Sequence, residues 1–597
     1  MQLCAAHDPA CDWLATYSLL EKQSVRRALA ARGLQIDEHP WGKQIAHVLV
    51  YNENVFAENN WLRVFNFIHY TTRQRAIRDE LPIAAGDMWD DDKVAEGARI
   101  LHDPLYSSVV AMLPIKANEP GKVNLLVVTR DVWSLRFNTQ YTFQQASLTN
   151  LSISISENNF LGNRDVLAAS ALMDQGSLAI GPLFIDKNFL GKHLDFRARI
   201  DEIITRQSLS AVSQTVDGMS LISTPTGDPK GWEDGGGYRH EGRDATVSLS
   251  RPLWSLASEW GAASSFTYSN AIARSYLSTG IRAYDDPNTP ETEAIAREFR
   301  YKTWSLSANA TRQWGTVLKQ QFAFGYTVSS QHPELLPSFS PDPMLRADFI
   351  HDVFPHDEVI SQPYIEYSFY QPKFKTIRNL ATYELAEDLR LGPSFDVSVA
   401  QALSPLGSTH TFTRPAMSGG WTLPWGRDGY VSPGAGFSLR IQPMGSHETI
   451  DNTAQVSVRA ATPLLSWVRI VMFSSLETRW HDTQNAYYTI GSDSGLRAYP
   501  INAFYGQRRF STMIEARTTP LPWWVFRIGA VAFYEAGAAG NSLDEMPLYQ
   551  DVGMGVRWLI PQTSRDLFRF DVAMPLRSSP GVRAFRPHFL AGFASYF

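Results

Sequence analysis

Apolar and polar positions along this 597-residue chain follow two different periods. Over residues 12–32, Leu14, Tyr17, Leu20, Val25 and Leu29 fall near one face of a helix, and Gly33 ends it. From about residue 44 the pattern becomes mixed. IAHVLVY (45–51) reads as a strand and TRQRAIRDEL (72–81) as an amphipathic helix. DDDKVAEGARILHD (90–103) reads as a second helix, with acids in the first turn where the helix dipole favours them. SSVVAMLPI (107–115) and VNLLVVTRDVW (123–133) read as strands on either side of NEPGK (118–122), a Pro-Gly turn. Strand, helix, helix, strand, strand predicts a small two-layer domain over residues 44–132, preceded by a helical segment over 1–43.

Beyond Asp131 the helical period disappears and strands of about ten residues take over. In LSISISE (151–157), Leu151, Ile153 and Ile155 take one side and Ser152, Ser154 and Ser156 the other. The turn NFLGN (159–163) recurs as NFLGK (188–192), 29 residues on, which accommodates two strands and a tight turn near 174–177. Pro-Leu recurs at strand ends, at Pro252, Pro463, Pro520 and Pro575, where a residue that cannot donate to a ladder belongs. Long polar loops separate other strands, notably at 217–245, 284–298, 331–361 and 481–508. The last thirteen residues, FRPHFLAGFASYF, set Phe585, Phe589, Phe593 and Phe597 on one parity and Arg586, His588 and Tyr596 on the other. A chain ending on such an aromatic edge suits a closed barrel, whose last strand pairs with its first; an open edge invites aggregation. Short turns at one end and long loops at the other fit an outer-membrane barrel over 133–597.

Composition narrows the choice. Charged residues make up only 19% of the chain, below the roughly 25% of ordinary soluble domains. The net charge of −6 leaves no footprint for nucleic acid. No apolar run approaches the ~20 residues of a membrane helix, so a membrane-spanning form must be a barrel. A large soluble all-β protein is the competing fold. Cys4 and Cys11 suit either a small disulfide loop or two free thiols. MQLCAAHDPACDW lacks the basic and apolar regions of an export signal. An outer-membrane protein needs one, which implies that it was trimmed or that the gene start is misplaced.

Several motifs then align in order. GSDSGLRAYP (491–500), FSTMIEARTTPL (510–521), VAFYEAG (531–537), GMGVRWLIP (553–561) and FRFDVAMPL (568–576) precede the aromatic terminus. Together they resemble the BamA/TamA-type outer-membrane assembly superfamily, and residues 44–132, with AAGDMWDDDKV (84–94), resemble one of its POTRA domains. The resemblance implies a sixteen-stranded transmembrane barrel behind a small α/β domain in the periplasm. It makes Gly495, Leu496, Arg497, Ala498 and Tyr499 the tip of a loop folded back into the barrel. It assigns Phe533 and Gly537 to a conserved strand pattern with Glu535 at its acid position, and Phe593 and Phe597 to the C-terminal assembly signal. Family members usually carry glycine where Ala498 stands. Alanine tolerates positive φ poorly, which predicts a slightly different backbone at the tip.

Parity adds an independent constraint. Glu515, Arg517, Arg527 and Glu535 lie opposite their strands' apolar sets, and a base on the lipid face costs on the order of 2–4 kcal/mol near the midplane. These four should therefore face the lumen, where Arg497 would pair with Glu515, Glu535 or both. On the residues alone, an exposed Arg497 above a watery channel fits as well.

No HExxH, P-loop, dinucleotide fingerprint or G-x-S-x-G elbow occurs, and the chain reads as a non-enzyme with no metal and no cofactor. His351-Asp352 and His356-Asp357 read as solvated loop pairs. The expected partners are unfolded outer-membrane or secreted proteins, the lipid bilayer, and periplasmic chaperones or accessory subunits. Templating of a client strand at a seam between residues 133–143 and 585–597 is what the resemblance implies for mechanism. A two-partner-secretion transporter, with residues 12–32 as a plug, and a passive porin are the alternatives.

Overall fold

The computed structural model describes residues 17–593, except 57–63, 65, 68, 104–105, 145–146, 174–175, 206–212, 217–218, 223–238, 278–279, 285–294, 338, 341, 443–447, 493, 562–566 and 580. Cys4, Cys11 and Phe597, and the centre of the turn placed near 174–177, fall outside the described residues.

The N-terminal domain is built from α1 (Leu19–Arg32), β1 (Gln44–Glu53), α2 (Gln74–Asp79), α3 (Asp91–Leu101), β2 (Ser107–Lys116) and β3 (Lys122–Asp131). Its sheet runs β1-β3-β2, with β1 parallel and β2 antiparallel to β3. Alternation splits the sheet into two apolar faces. Val110, Met112, Val123, Leu125 and Val127 meet Ile77, Val94 and Leu101 of α2 and α3. Ala111, Leu113, Ile115, Leu126 and Val128 meet Val25 and Ala28 of α1.

The domain therefore has three layers, not the two expected. Residues 17–43 belong to it, and α1 is not a plug. The missed signal lies in β2 and β3, whose apolar runs leave no polar face, as happens when a sheet is covered on both sides. A capping box starts α1, with Ser18 accepting from the Glu21 amide and Glu21 accepting from that of Ser18. The segment after α1 returns along the edge of β2: Ile36 bridges Ile115, and the Asp37 amide donates to Pro114 O at 3.0 Å. Burial pushes the Tyr17 hydroxyl up to about 12. Still protonated at neutral pH, it donates to Met112 O and accepts from the Met112 amide.

From Leu135 the chain forms one large antiparallel ladder of sequential neighbours, ending at His588–Phe593. Glu358–Tyr370 with Lys373–Ile377, and Arg508–Thr518 with Leu521–Trp523, each act as one interrupted strand, because both halves pair with the same neighbour. On that count the described residues supply twenty strands where sixteen were expected. Sixteen came from the resemblance alone. Each strand from Leu135 to Thr205 pairs antiparallel with the next, and tight reversals after Phe160 and Phe189 help fit five strands into this stretch.

The ends of the ladder meet through two residue pairs, Ala591↔Tyr141 and Gly592↔Gln140. By contrast, Trp260–Arg274 and Glu298–Trp314 are paired along their whole shared length. Among the described residues, which stop at Phe593, this short pairing is what joins the ring. The final strand begins at His588 rather than 585. Phe585 lies before it with φ 62, and the expected four-phenylalanine face is reduced in the described strand to Phe589 and the paired position of Phe593.

The outer face of the ladder is apolar, with exposed Leu249, Phe266, Leu306, Phe324, Ile365, Val456, Ile514, Val556 and Phe570. Exposed tryptophans gather at the rim nearest the N-terminal domain: Trp260, Trp314, Trp425, Trp467, Trp523 and Trp524. An apolar band with an aromatic girdle is the surface a bilayer requires of a barrel. Among the described residues no helix is long and apolar enough to cross a membrane.

The domain is held against that same rim. Arg164 reaches Glu80 at 2.5 Å and Ser107 Oγ at 3.0 Å. Burial pushes the Glu80 carboxyl above its ordinary range despite the pull of Arg164. Lys187 pairs with Asp103, His102 with Asp388 at 3.3 Å, and Arg378 with Glu21 at 2.9 Å. The first NFLG turn adds a backbone contact, since the Arg73 amide donates to Gly162 O at 2.9 Å. Both NFLG turns have one shape, with Leu161 and Leu190 at positive φ followed by Gly162 (φ 78) and Gly191 (φ 66). In each, the leading asparagine accepts from an amide five residues on, Asn159 from Arg164 and Asn188 from His193. Where the domain meets the barrel, buried His69 stacks on Trp133 and joins Ser134 Oγ (2.9 Å) to Asp131 (3.1 Å).

Candidate functional site

The chemistry-bearing residues converge inside the wall formed by four successive strands, Arg508–Thr518, Phe526–Gly540, Tyr549–Leu559 and Phe568–Pro575. Alternation drives this. Ile514 and Ala532 face outward, while Met513, Glu515, Phe533, Glu535, Asp551 and Asp571 turn inward and are buried. Across the ladder Met513 faces Glu535, Glu535 faces Asp551, and Glu515 faces Phe533. Three carboxylates and one phenyl ring thus lie on adjoining inward positions, and Asp571 comes from the next strand, opposite Gly555.

The loop 481–507 carries its tip into this pocket. Gly495 (φ 114) makes the turn, and the Leu496 amide closes it on Gly491 O at 3.0 Å. Leu496, Arg497, Ala498 and Tyr499 are all buried. The Arg497 guanidinium is 0% exposed. It forms ion pairs with Glu515, with Glu535 (Nε to Oε1 3.1 Å) and with Asp571 (Nη1 to Oδ2 3.4 Å), and lies over the Phe533 ring at 4.0 Å. The Nε–Oε1 approach is a charge contact; the aligned bond to Glu535 comes from the Arg497 amide, which donates to Oε2 at 2.8 Å. The Ala498 amide donates to Asp551 at 3.0 Å, and the Tyr499 hydroxyl donates to Arg577 O at 2.9 Å.

The structure therefore brings Arg497 together with both expected acids, Glu515 and Glu535. Arg517, expected in the lumen, joins the network, whereas two further acids, Asp551 and Asp571, and one further arginine, Arg557, escaped the sequence reading. Arg517 holds the far oxygen of Glu515 at 2.6 Å, and Arg557 grips Asp571. Arg527 does not enter this cluster and pairs instead with Glu384 at 2.7 Å. The missed signal was inward parity, because Asp571 sits opposite exposed Phe570 within FRFDVAMPL.

Glycines make the room. A Cβ on Gly553 would lie 2.2 Å from the Phe533 ring, and one on Gly555 would lie 1.9 Å from Asp571 Oδ1. At Gly537 it would strike Ile490 at 2.3 Å and crowd Leu496. Ala498 is not among the described residues with positive φ, so its Cβ meets no left-handed backbone there. Its methyl group instead joins the apolar packing of Ile490, Leu496, Tyr499, Val531 and Phe533. Phe593 ends the last described strand opposite Phe568.

Chemically the cluster is a lock. Buried opposite charges hold one loop against one wall. Elsewhere, among the described residues, no group of His, Cys, Asp and Glu has the arrangement to hold a metal. His351 instead pairs with its neighbour Asp352, and Asp357 with His332.

No family model and no curated protein matches the chain. Among solved structures it is similar to BamA from Haemophilus ducreyi lacking POTRA domains 1–3, at 11% identity and a TM-score of 0.33, over 92% of this chain and 84% of that one. It is also similar to CdiB from Escherichia coli (10%, TM-score 0.42, 92% and 76% covered) and to CdiB from Acinetobacter baumannii (10%, 0.39, 92% and 73%).

Proposed function

We propose that this chain is an outer-membrane protein of the BamA/TamA superfamily that inserts or translocates client polypeptides, with its N-terminal domain acting as a single POTRA in the periplasm. The observation that carries the reading is the buried Arg497 cluster. It fastens the inward loop to the four strands that lead directly to the junction at His588–Phe593, where the ring closes. A diffusion pore gains nothing from a dry ionic lock beside the closing seam. A protein that must open one seam without losing the rest of its wall does.

Opened at that seam, the backbone edge of Leu135–Gln144 would pair with an extended client segment. Unfolded barrel proteins or secreted chains are the clients, the bilayer is the destination, and chaperones or accessory subunits would deliver to the POTRA. Strand exchange conserves hydrogen bonds, so the reading calls for no cofactor, metal or catalytic residue.

The test is insertion of a urea-unfolded barrel protein into liposomes carrying the full chain, compared with empty liposomes and with Arg497→Ala. Acceleration by the wild type that is lost in the variant is the expected result. Steady ion conductance without acceleration would overturn insertion in favour of a secretion pore or porin.

A further inference from the structure

At the end of the barrel away from the N-terminal domain, the short strands Gly280–Tyr284 and Ile295–Ala296 pair with Ala283 opposite Ala296. One step along, the Arg297 amide donates to Arg282 O at 2.8 Å. Arg282 and Arg297 are thus directly opposed, and opposed residues point to the same face, where like charges repel. Arg282 Cζ lies 3.7 Å over the Tyr505 ring and 5.4 Å over Tyr487, and Arg297 Cζ lies 5.4 Å over Tyr284. Tyr487 is pinned through its hydroxyl to Ser275 Oγ at 2.9 Å, so loops from two parts of the chain form the walls.

Among the described residues neither guanidinium has an ion pair, and Arg297 Nε is buried without a hydrogen-bond partner. The carboxylate that feels Arg297, Asp352, is already bonded to the Tyr284 hydroxyl and to His351. Other buried arginines at this end are neutralised, Arg274 by Glu241 and Glu298 and Arg440 by Glu358 and Asp451. Two opposed, aromatic-walled guanidiniums of like charge suit an anion, and the guanidinium fork matches phosphate oxygens two at a time.

We propose that Arg282 and Arg297 bind a phosphate group between the tyrosine walls. The phosphate comes from the headgroup of a lipid in the adjacent leaflet or from free phosphate. The lipid source rests on the membrane placement proposed above; the phosphate chemistry does not.

The full chain in maltoside micelles is titrated calorimetrically with inorganic phosphate. Separate titrations use mixed micelles of a bisphosphorylated glucosamine lipid and of the same lipid with its phosphates removed. Saturable binding that weakens at least tenfold in the double variant Arg282→Gln/Arg297→Gln is expected. The Arg282→Lys/Arg297→Lys pair, which keeps the charge but not the fork, should fall between the two. Heat-modifiable gel mobility of each variant reports the folded barrel. Binding of the phosphorylated lipid but not of inorganic phosphate assigns the headgroup source; binding of both assigns a general phosphate site. Equal binding by wild type and the glutamine pair, or by lipid with and without phosphate, overturns the proposal. Because inorganic phosphate is read in detergent, failure of client insertion leaves that arm intact.

Discussion

A guanidinium removed from water survives only when its charge is matched at several acceptors, and removal of one partner from such a set costs about 3–5 kcal/mol. Arg497 has three carboxylates, and the neighbouring Arg517 and Arg557 return the balance. Glu535→Ala should therefore release the loop tip, seen as new protease cleavage between 481 and 507. Glu535→Gln, which still accepts from the Arg497 amide, should release it less. Gly553→Ala tests the support beneath: a methyl group 2.2 Å from the Phe533 ring must displace it, at about 1–3 kcal/mol, with the same cleavage as readout. Arg497, Glu515 and Glu535 were legible because a motif and a parity agreed on them. Asp551 and Asp571 belonged to no quoted acid position, and only the ladder register puts Asp551 opposite Glu535. The space made by Gly553 and Gly555 was invisible, since one sequence does not say which side chain a missing Cβ admits.

Among the elements, α1 behaves least as its sequence suggests. The apolar positions of residues 12–32 predict a helix but not its place, and the sheet face it covers lies some eighty residues further along the chain. Most of the strand and helix order of the domain was legible within a few residues, because short amphipathic segments bounded by turns carry their own signal. The third layer was not, because continuous apolar runs in β2 and β3 are equally those of any buried strand. Val25→Asp should detach α1 and raise hydrogen exchange at the Met112 and Lys116 amides of β2, which bond to Tyr17 and Gln35, while exchange along the parallel β1–β3 ladder stays slow. Ser18→Ala should have a smaller effect in the same direction, through loss of about 1 kcal/mol of capping.

For the molecule as a whole, the antiparallel ladder and its apolar exterior were legible from alternation. The number of strands was not, because a turn of two to four residues leaves little trace in composition. The junction of first and last strands follows from closure and from nothing local. Its test is a crosslink: cysteines at Tyr141 and Ala591, paired across the junction, should form a disulfide that stops client insertion until reductant is added. Unchanged insertion after complete crosslinking would move client entry elsewhere.

The N-terminal domain touches the rim at turns that are eight of twenty strands apart, 159–164 and 371–386, so it bridges the barrel mouth rather than hanging from one edge. Its supports include two partly solvated ion pairs, Lys187–Asp103 and Arg378–Glu21, beside the more buried Arg164–Glu80. Attractions of this kind weaken as the screening length falls from about 10 Å at 0.1 M salt to about 3 Å at 1 M. The bridge should therefore loosen with ionic strength while the dry Arg497 cluster does not. Access to the mouth then becomes a property of the surrounding electrolyte as much as of the protein.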